Sequence, residues 1–143
     1  MFKTENKPAS SEACRVALMA VQDALYVLHG KWKLPIIVAL SEGKKRFGEI
    51  QKAVKGIAPK VLSSELKTLE LNGFVVRHVH NEFPVLVEYE LTEYSDTLED
   101  VIKSLSDWGQ QHRARIKDEI RNGNGNGNGN GHASHANGNG HGI

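Results

Sequence analysis

Two kinds of polar side chain share one side of a helix that the sequence predicts between residues 60 and 71. At about 100° per residue, Leu62, Leu66 and Leu69 lie within a sector of about 60°, which is typical of a side that faces a core. Lysine neutralises phosphate groups, and a serine hydroxyl donates to a phosphate or to the edge of a base. We therefore predict that the opposite side contacts a nucleic acid. That side carries Lys60, Ser63, Ser64 and Lys67.

The adjacent serines are the most informative part of this side. A helix face exposed only to water usually carries long residues of high helix propensity, such as Glu and Lys, whereas serine is a poor helix former. Serine does suit a helix that contacts DNA, because a small side chain lets the helix approach the groove closely. Pro59 suits the first turn, where backbone N–H groups can hold a phosphate. The alternative interpretation is a helix whose hydrophilic side contacts another protein.

Charge is distributed unevenly along a chain whose formal net charge is only +1. Residues 31–77 contain ten basic and four acidic residues, whereas residues 82–107 contain eight acidic residues and one lysine. The middle of the chain would attract a polyanion, and the part that follows would repel one. Because charged runs often form an ordinary solvated face, this asymmetry supports the nucleic-acid prediction without establishing it.

The elements that must position this helix follow from the spacing of apolar residues. The periodicity predicts one helix ending at Gly30, a second beginning near Lys33 because Pro35 must lie in its first turn, and a short third over residues 46–54. Two stretches rich in β-branched and aromatic residues, FVVRHVH and LVEYELT, predict a two-stranded antiparallel hairpin. A long final helix should follow Thr92, which is a suitable N-cap.

A short helix, a longer helix and then a hairpin form the winged helix-turn-helix arrangement. We therefore predict a mainly α fold with a small β-hairpin and with extra terminal helices for dimerisation. The final helix carries more apolar residues than one small domain needs to bury, so its stripe is the predicted contact of a homodimer. The stripe consists of Leu98, Val101, Ile102, Leu105 and Trp108.

One folded domain is predicted over residues 13–121, between a flexible arm over residues 1–12 and a tail over residues 122–143. Residues 122–131 alternate Asn and Gly, and the whole tail has too little apolar surface to offset its ordering entropy. The absence of a signal segment and of a long apolar run predicts a soluble, cytoplasmic protein with no membrane partner. We interpret the histidines of the tail as solvated rather than metal-bound: His132, His135 and His141.

Five segments carry a resemblance to a known family. They are GKWKLPIIVAL (30–40), RFGEIQKAVKGI (46–57), KVLSSELKTLELNGFVVR (60–77), VEYELT (87–92) and SLSDWGQQH (104–112). In order and spacing they resemble the HxlR-type family of bacterial winged-helix, MarR-like transcriptional regulators. The resemblance implies a homodimeric repressor or activator that binds an inverted repeat in double-stranded DNA and dimerises through its terminal helices.

The resemblance also assigns roles to residues. It makes the helix with Lys60 and Lys67 the recognition helix. The family's wing carries an arginine where this chain has Leu86, which leaves Arg77, His78 and His80 as weaker candidates for wing contacts. The predicted DNA-binding set combines the polar side of the recognition helix with basic residues elsewhere: Lys60, Ser63, Ser64, Lys67, Lys44, Lys45, Arg46 and Arg77.

Cys14 is the only cysteine of the chain. Many members of the family have a cysteine near the N-terminus, and some sense oxidants by forming a disulfide across the dimer. Cys14 neighbours the positively charged Arg15, although a lone cysteine at a helix start is more often inert. Redox sensing through Cys14 is therefore an alternative function.

No pattern in the sequence predicts an enzyme, a metal site or a cofactor. The chain lacks a Gly-rich phosphate loop, an HExxH or CxxC motif and a nucleophile elbow. His78 and His80 share one strand face but have no third ligand. Trp32 and Trp108 are interpreted as core residues rather than as walls of an effector pocket. The sequence identifies no small-molecule effector.

Overall fold

The computed structural model describes residues 11–124, which form two compact units. One unit ends at Ile102 and the other begins at Lys103. The first described helix begins at Ser11 and the last one ends at Asn124. Both ends lie a few residues outside the bounds of 13 and 121 that the sequence predicts for the folded domain. The rest of the predicted arm and tail, residues 1–10 and 125–143 with the three tail histidines, lies outside the described residues.

The described chain is mainly helical with one small sheet, as predicted. The first unit carries the short helix, longer helix and hairpin of a winged helix-turn-helix. The elements in chain order are α1 (Ser11–Leu28), α2 (Lys33–Leu40), β1 (Lys45–Arg46), α3 (Phe47–Ala53), α4 (Pro59–Leu71), β2 (Val75–His80), β3 (Leu86–Leu91), a 3₁₀-helix (Glu93–Leu98) and α5 (Glu99–Asn124).

The ends of α4 show why this helix has its length. Pro59 lies in the first turn, after Ala58 in an extended conformation that supplies no side-chain cap. At the other end the Phe74 N–H donates to the Leu69 carbonyl at 2.9 Å, which closes the helix in a Schellman-type turn. Gly73 has φ of +80° there, a backbone conformation that favours glycine. The chain can therefore reverse directly into the sheet.

The sheet has three strands rather than the two predicted, in the order β1-β3-β2 with antiparallel pairing. The extra strand β1 is only two residues long, and Lys45 pairs with Tyr89 while Arg46 pairs with Glu88. A strand this short has no periodicity to detect. Its pairing depends on β3, a strand that lies far along the chain, beyond α3, α4 and β2.

The segment after the sheet also differs from the prediction. Thr92 precedes a 3₁₀-helix, and α5 begins only at Glu99. The Thr92 hydroxyl caps no helix; it donates instead to the Gly73 carbonyl. Thr92 therefore ties the end of the hairpin to the turn that follows α4, and the predicted N-cap role is wrong.

The core lies within the first unit and joins α2, α3, α4, the start of β2 and the 3₁₀-helix. Trp32, Phe47, Tyr89 and Ile102 are half-buried and pack against it. The largest fully buried side chains come from three helices, so α4 is held by contacts with the helices before it. The buried apolar residues are Ile36, Ile37, Leu40, Ile50, Val54, Ile57, Leu62, Leu66, Leu69, Phe74, Val75 and Leu98.

The first helix is an exception to this burial, because none of its residues is buried. Val27 and Leu28, in its last turn, pack against the core. Within residues 11–124, no helix is both long and apolar enough to cross a membrane. The exposed apolar side chains of α1 are Val16, Leu18, Met19, Val21, Leu25 and Tyr26.

Candidate nucleic-acid interface

The two sides of α4 have the environments that the sequence predicts. Leu62, Leu66 and Leu69 are at most 1% exposed and anchor one side in the core. The polar residues of the other side are all exposed. Leu71 is also exposed, at the end of the helix. The structure therefore brings two lysines and two adjacent serines together on one accessible surface, which we call the α4 face: Lys60, Ser63, Ser64 and Lys67.

The lysines of the α4 face have no counter-charge in the described part of the chain. No carboxylate of residues 11–124 lies within ion-pair distance of Lys60 or Lys67. The hydroxyls of Ser63 and Ser64 likewise make no hydrogen bond within this part of the chain. These positive charges and hydroxyls are available to an anionic partner.

The basic residues near β1 differ from the α4 face because each has a carboxylate close by. Lys45 Nζ lies 3.1 Å from Glu42 Oε2, and its side chain is only 18% exposed. Lys44 and Arg46 lie 3.8 Å from the carboxylates of Glu90 and Glu49, respectively. Their net attraction for a polyanion is therefore weaker than the sequence suggests. Their assignment as DNA contacts stays a prediction, with less free positive charge behind it than at the lysines of α4.

Arg77 on β2 lies close to the α4 face. Its cross-strand partner is Tyr89 on β3, so the two side chains share one face of the sheet. A cleft of about 330 Å³ separates this face from α4. The cleft is lined by Ser63, Leu66, Lys67, Glu70, Arg77 and Tyr89.

The other face of the hairpin carries histidines that are paired with carboxylates. His78 Nε2 lies 2.7 Å from Glu90 Oε2, and His80 Nε2 lies 3.1 Å from Glu88 Oε1. These pairs weaken both histidines as candidates for wing contacts with DNA. Across residues 11–124, no cluster of three or more His, Cys, Asp or Glu residues has the proximity needed to hold a metal ion.

The tip of the wing exposes two large apolar side chains. Phe83 is 99% exposed and Val85 is 63% exposed. Leu86, which stands where the resemblance implies an arginine, is half-buried at the start of β3. No basic residue occupies residues 81–92.

Sequence reasoning missed an ion pair that joins α2 to α4. Lys33 Nζ lies 2.9 Å from Glu65 Oε2, and the two side chains are 8% and 21% exposed. Glu65 Oε2 is buried and has no other polar partner among the described residues, so Lys33 is the group that compensates its charge. Two features of the sequence could have indicated this pair. One is a lysine within the apolar run KLPIIVAL, and the other is a glutamate one residue before the buried Leu66. The pair helps to position the helix that carries the α4 face.

Cys14 is exposed on α1. The guanidinium of Arg15 lies 2.9 Å from Glu12 Oε1, so its charge is paired with that carboxylate. Arg15 therefore has a carboxylate partner on its own helix.

The stripe predicted for dimerisation is divided between buried and exposed residues. Leu98 is 8% exposed and Ile102 packs half-buried against the core, so neither needs a partner for its burial. Val101, Leu105 and Trp108 are 45%, 49% and 63% exposed. The interpretation of Trp108 as a core residue is wrong, since its ring stacks instead on the His112 ring, with 4.9 Å between their centres. The dimer prediction therefore rests on a smaller set of α5 residues.

Comparisons with known proteins converge on one family. A model of the HxlR-like helix-turn-helix matches residues 27–117. The uncharacterized HTH-type transcriptional regulator YtcD of Bacillus subtilis (strain 168) is 40% identical over 98 residues, which are 68% of this chain and 78% of YtcD. YybR of the same organism, also an uncharacterized HTH-type transcriptional regulator, is 33% identical over 123 residues, which are 86% of this chain and 94% of YybR.

A solved structure agrees with this relationship. The redox regulator HypR in its reduced form superimposes with a TM-score of 0.65 at 35% sequence identity. The match covers 69% of this chain and 98% of HypR. The aligned region has the same fold and a related sequence.

Proposed function

This chain belongs to the HxlR-like helix-turn-helix family and is an HTH-type transcriptional regulator, and we propose that it acts as a homodimer that binds double-stranded DNA in a sequence-specific manner. The observation that carries the proposal is the α4 face, where two lysines without counter-charge in the described chain flank two adjacent serines. In the proposed complex α4 enters the major groove. Repression and activation are equally compatible with these contacts.

The dimensions of α4 suit this role. Its 13 residues form a helix about 20 Å long, and a major groove about 12 Å wide admits an α-helix. Lys60 and Lys67 are separated by two turns of helix, which is roughly 10 Å along the axis. They would contact backbone phosphates while Ser63 and Ser64 approach the base edges. Arg77, beside the cleft, would add a third contact with a phosphate.

The proposed dimer contact uses apolar surface that the single chain leaves exposed on two helices. On α5 this surface is formed by Val101, Leu105 and Trp108, and on α1 it includes Leu18 and Leu25. Large apolar side chains exposed along one side of a helix often mark an interface. Two copies related by a two-fold axis would present two recognition helices to an inverted repeat.

Salt-dependent binding tests the role of the lysines. We expect Lys60→Ala and Lys67→Ala to weaken binding to a random-sequence duplex and to reduce the slope of log affinity against log salt by about 0.9 each, because each variant loses one phosphate contact. Fluorescence anisotropy over a series of salt concentrations measures both quantities. Lys117→Ala on α5 is the matched control and should behave as wild type, since Lys117 lies outside the helix-turn-helix.

Wild-type affinity and slope in both α4 variants would show that α4 does not contact DNA. Absence of binding by the wild-type protein even at low salt would favour the alternative function, in which the winged helix contacts another protein.

A redox response through Cys14 is the second candidate function. It is supported by the exposure of Cys14 and by the similarity to HypR, a redox regulator. Two thiols from two copies would lose two protons and two electrons to an oxidant such as diamide, which is reduced to the hydrazine, and would form an intermolecular disulfide. We expect non-reducing mass spectrometry to detect a linked dimer that Cys14→Ser abolishes. No linked dimer and unchanged DNA binding after oxidation would eliminate this candidate.

A further inference from the structure

The helix α4 has an apolar edge beside its lysines. At about 100° per residue, Val61 and Thr68 lie within about 20° of each other, and Ser64 lies between this pair and the two lysines of the α4 face. Val61 is 38% exposed, whereas its neighbour Leu62 is fully buried. We call Val61 and Thr68 the methyl edge, because methyl groups are the part of these side chains that a partner can contact.

The hydrogen bonding of Thr68 explains why it belongs to an apolar edge. Its hydroxyl donates to the Ser64 carbonyl at 3.1 Å, one turn earlier in the same helix. A hydroxyl has a single hydrogen to donate, so this bond leaves Thr68 with no donor for a base. The partly exposed side chain therefore extends the apolar surface of Val61 and adds no charge to it.

A major groove offers different groups to the basic and the apolar edge of a helix. Phosphates line its walls, where they attract the lysines, while the edges of the bases form its floor. An apolar side chain placed against a phosphate would displace water from the charge without replacing the lost hydrogen bonds. The methyl edge therefore favours the floor of the groove, where the C5-methyl of thymine is the apolar group that distinguishes one base from the others.

We propose that Val61 is a specificity-determining residue that contacts the C5-methyl group of a thymine in each half-site. The inference rests on the proposed DNA-binding function and deepens it, because it names a base that α4 recognises. Val61 is the third residue of α4, and residues at the N-terminal end of a recognition helix contact base edges. Leu71 is also exposed, but it lies about 15 Å further along the axis, at the last residue of the helix.

Replacement of thymidine by deoxyuridine tests this contact, because deoxyuridine forms the same base pair and lacks only the methyl group. The probe is the duplex that the full-length wild-type protein enriches from a random pool, resynthesised with one thymidine changed at a time. We expect one position in each half-site at which the change weakens wild-type binding by about fourfold, as for the loss of one buried methyl group. Fluorescence anisotropy measures the affinities.

Three variants assign the discrimination to one side chain. Val61→Ala should bind the thymidine and deoxyuridine duplexes with nearly equal affinity, because the contact is lost. Val61→Ile retains a branched apolar side chain and should keep the preference for thymidine. Val38→Ala makes the same truncation on α2, at a valine that is 48% exposed, and should discriminate as wild type does. Both affinities are measured with the same protein, so a smaller folded fraction cancels in their ratio.

The outcomes separate this inference from the proposed function. Equal wild-type affinity for the thymidine and deoxyuridine duplexes at every position would overturn the thymine contact and leave DNA binding intact. An enriched motif without thymine, or a preference for thymidine that Val61→Ala retains, would have the same meaning. Failure of the wild-type protein to bind any duplex at low salt would overturn the proposed function, and the thymine contact with it.

Discussion

At the scale of single residues, the ion pair between Lys33 and Glu65 connects the α4 face to the rest of the fold. It lies between α2 and α4 and is largely shielded from water. Removing one partner from such a pair leaves a charge with poor solvation, which costs more than the pair itself contributes. We therefore expect the loss of either partner to destabilise the protein, although the intact pair adds little to its stability.

Substitution of Lys33 tests this role of the ion pair. We expect Lys33→Met to lower the free energy of unfolding by about 1 to 3 kcal/mol, less than for a fully buried pair because Glu65 is partly exposed. The double variant with Glu65→Leu should recover most of the loss, because the unpaired carboxylate is then absent. Urea unfolding at one fixed protein concentration measures both values. A Lys33→Met protein as stable as wild type would contradict the assigned role.

The exposure of the α4 face was predictable because its residues are neighbours on one helix, where the spacing decides the direction of each side chain. The cleft beside α4 was not predictable, because Arg77 and Tyr89 come together only through the pairing of β2 with β3. The carboxylates beside the basic run at residues 44–46 were only partly predictable, since Glu90 comes from a distant strand.

At the scale of elements, the turn between α3 and α4 determines how the two helices of the motif are joined. Gly56 has φ of +89° in this turn, and residues with a side chain rarely adopt that conformation. A Cβ at Gly56 would only touch Trp32 at an ordinary distance of 3.9 Å. The requirement for glycine is therefore conformational rather than steric.

A pair of alanine substitutions separates these two effects. Gly56→Ala should destabilise the protein by about 1 to 2 kcal/mol because of its positive φ. Gly48→Ala is the matched control, since Gly48 lies in α3 and an added methyl group there would meet open space, and it should raise stability by up to about 1 kcal/mol. Thermal unfolding of both variants compares them. Equal effects of the two substitutions would contradict the assigned role of the turn.

The helices and the β2-β3 hairpin were predictable because each depends on local signals, such as Pro35 and Pro59 at helix starts. The 3₁₀-helix was not predictable. Thr92 has the residue type of an N-cap, but its hydroxyl donates to the carbonyl of Gly73, which is distant in sequence. The strand β1 likewise depends on a distant strand. The errors therefore occur where non-local contacts decide the structure.

At the scale of the whole molecule, the exposed apolar side chains of α1 and α5 are the main feature that one chain does not explain. They include six large side chains of α1 together with Val101, Leu105 and Trp108 of α5, each at least 45% exposed. The α5 stripe was predictable from the sequence but the exposure of α1 was not, because helical periodicity reveals an apolar side without showing whether it is covered by the same chain or by another.

A charge introduced on the exposed apolar side of α5 should prevent dimerisation. We expect wild type to be a dimer at micromolar concentration and Leu105→Asp to be largely monomeric, because a carboxylate would be buried in an apolar contact. Ala114→Asp introduces the same group on the opposite side of α5, about 180° away, and should remain dimeric. Sedimentation velocity distinguishes the two species. A monomeric wild-type protein, or a dimeric Leu105→Asp variant, would contradict the proposed contact.

The most direct test of the central claim is selection of bound duplexes from a random pool by the full-length protein, followed by sequencing. We predict a two-fold symmetric motif with half-sites about one helical turn apart, and an altered base preference within each half-site for Ser63→Ala or Ser64→Ala. That result would identify α4 as the recognition helix of a dimer. Failure to enrich any sequence at low salt, or an unchanged motif in both serine variants, would contradict the claim.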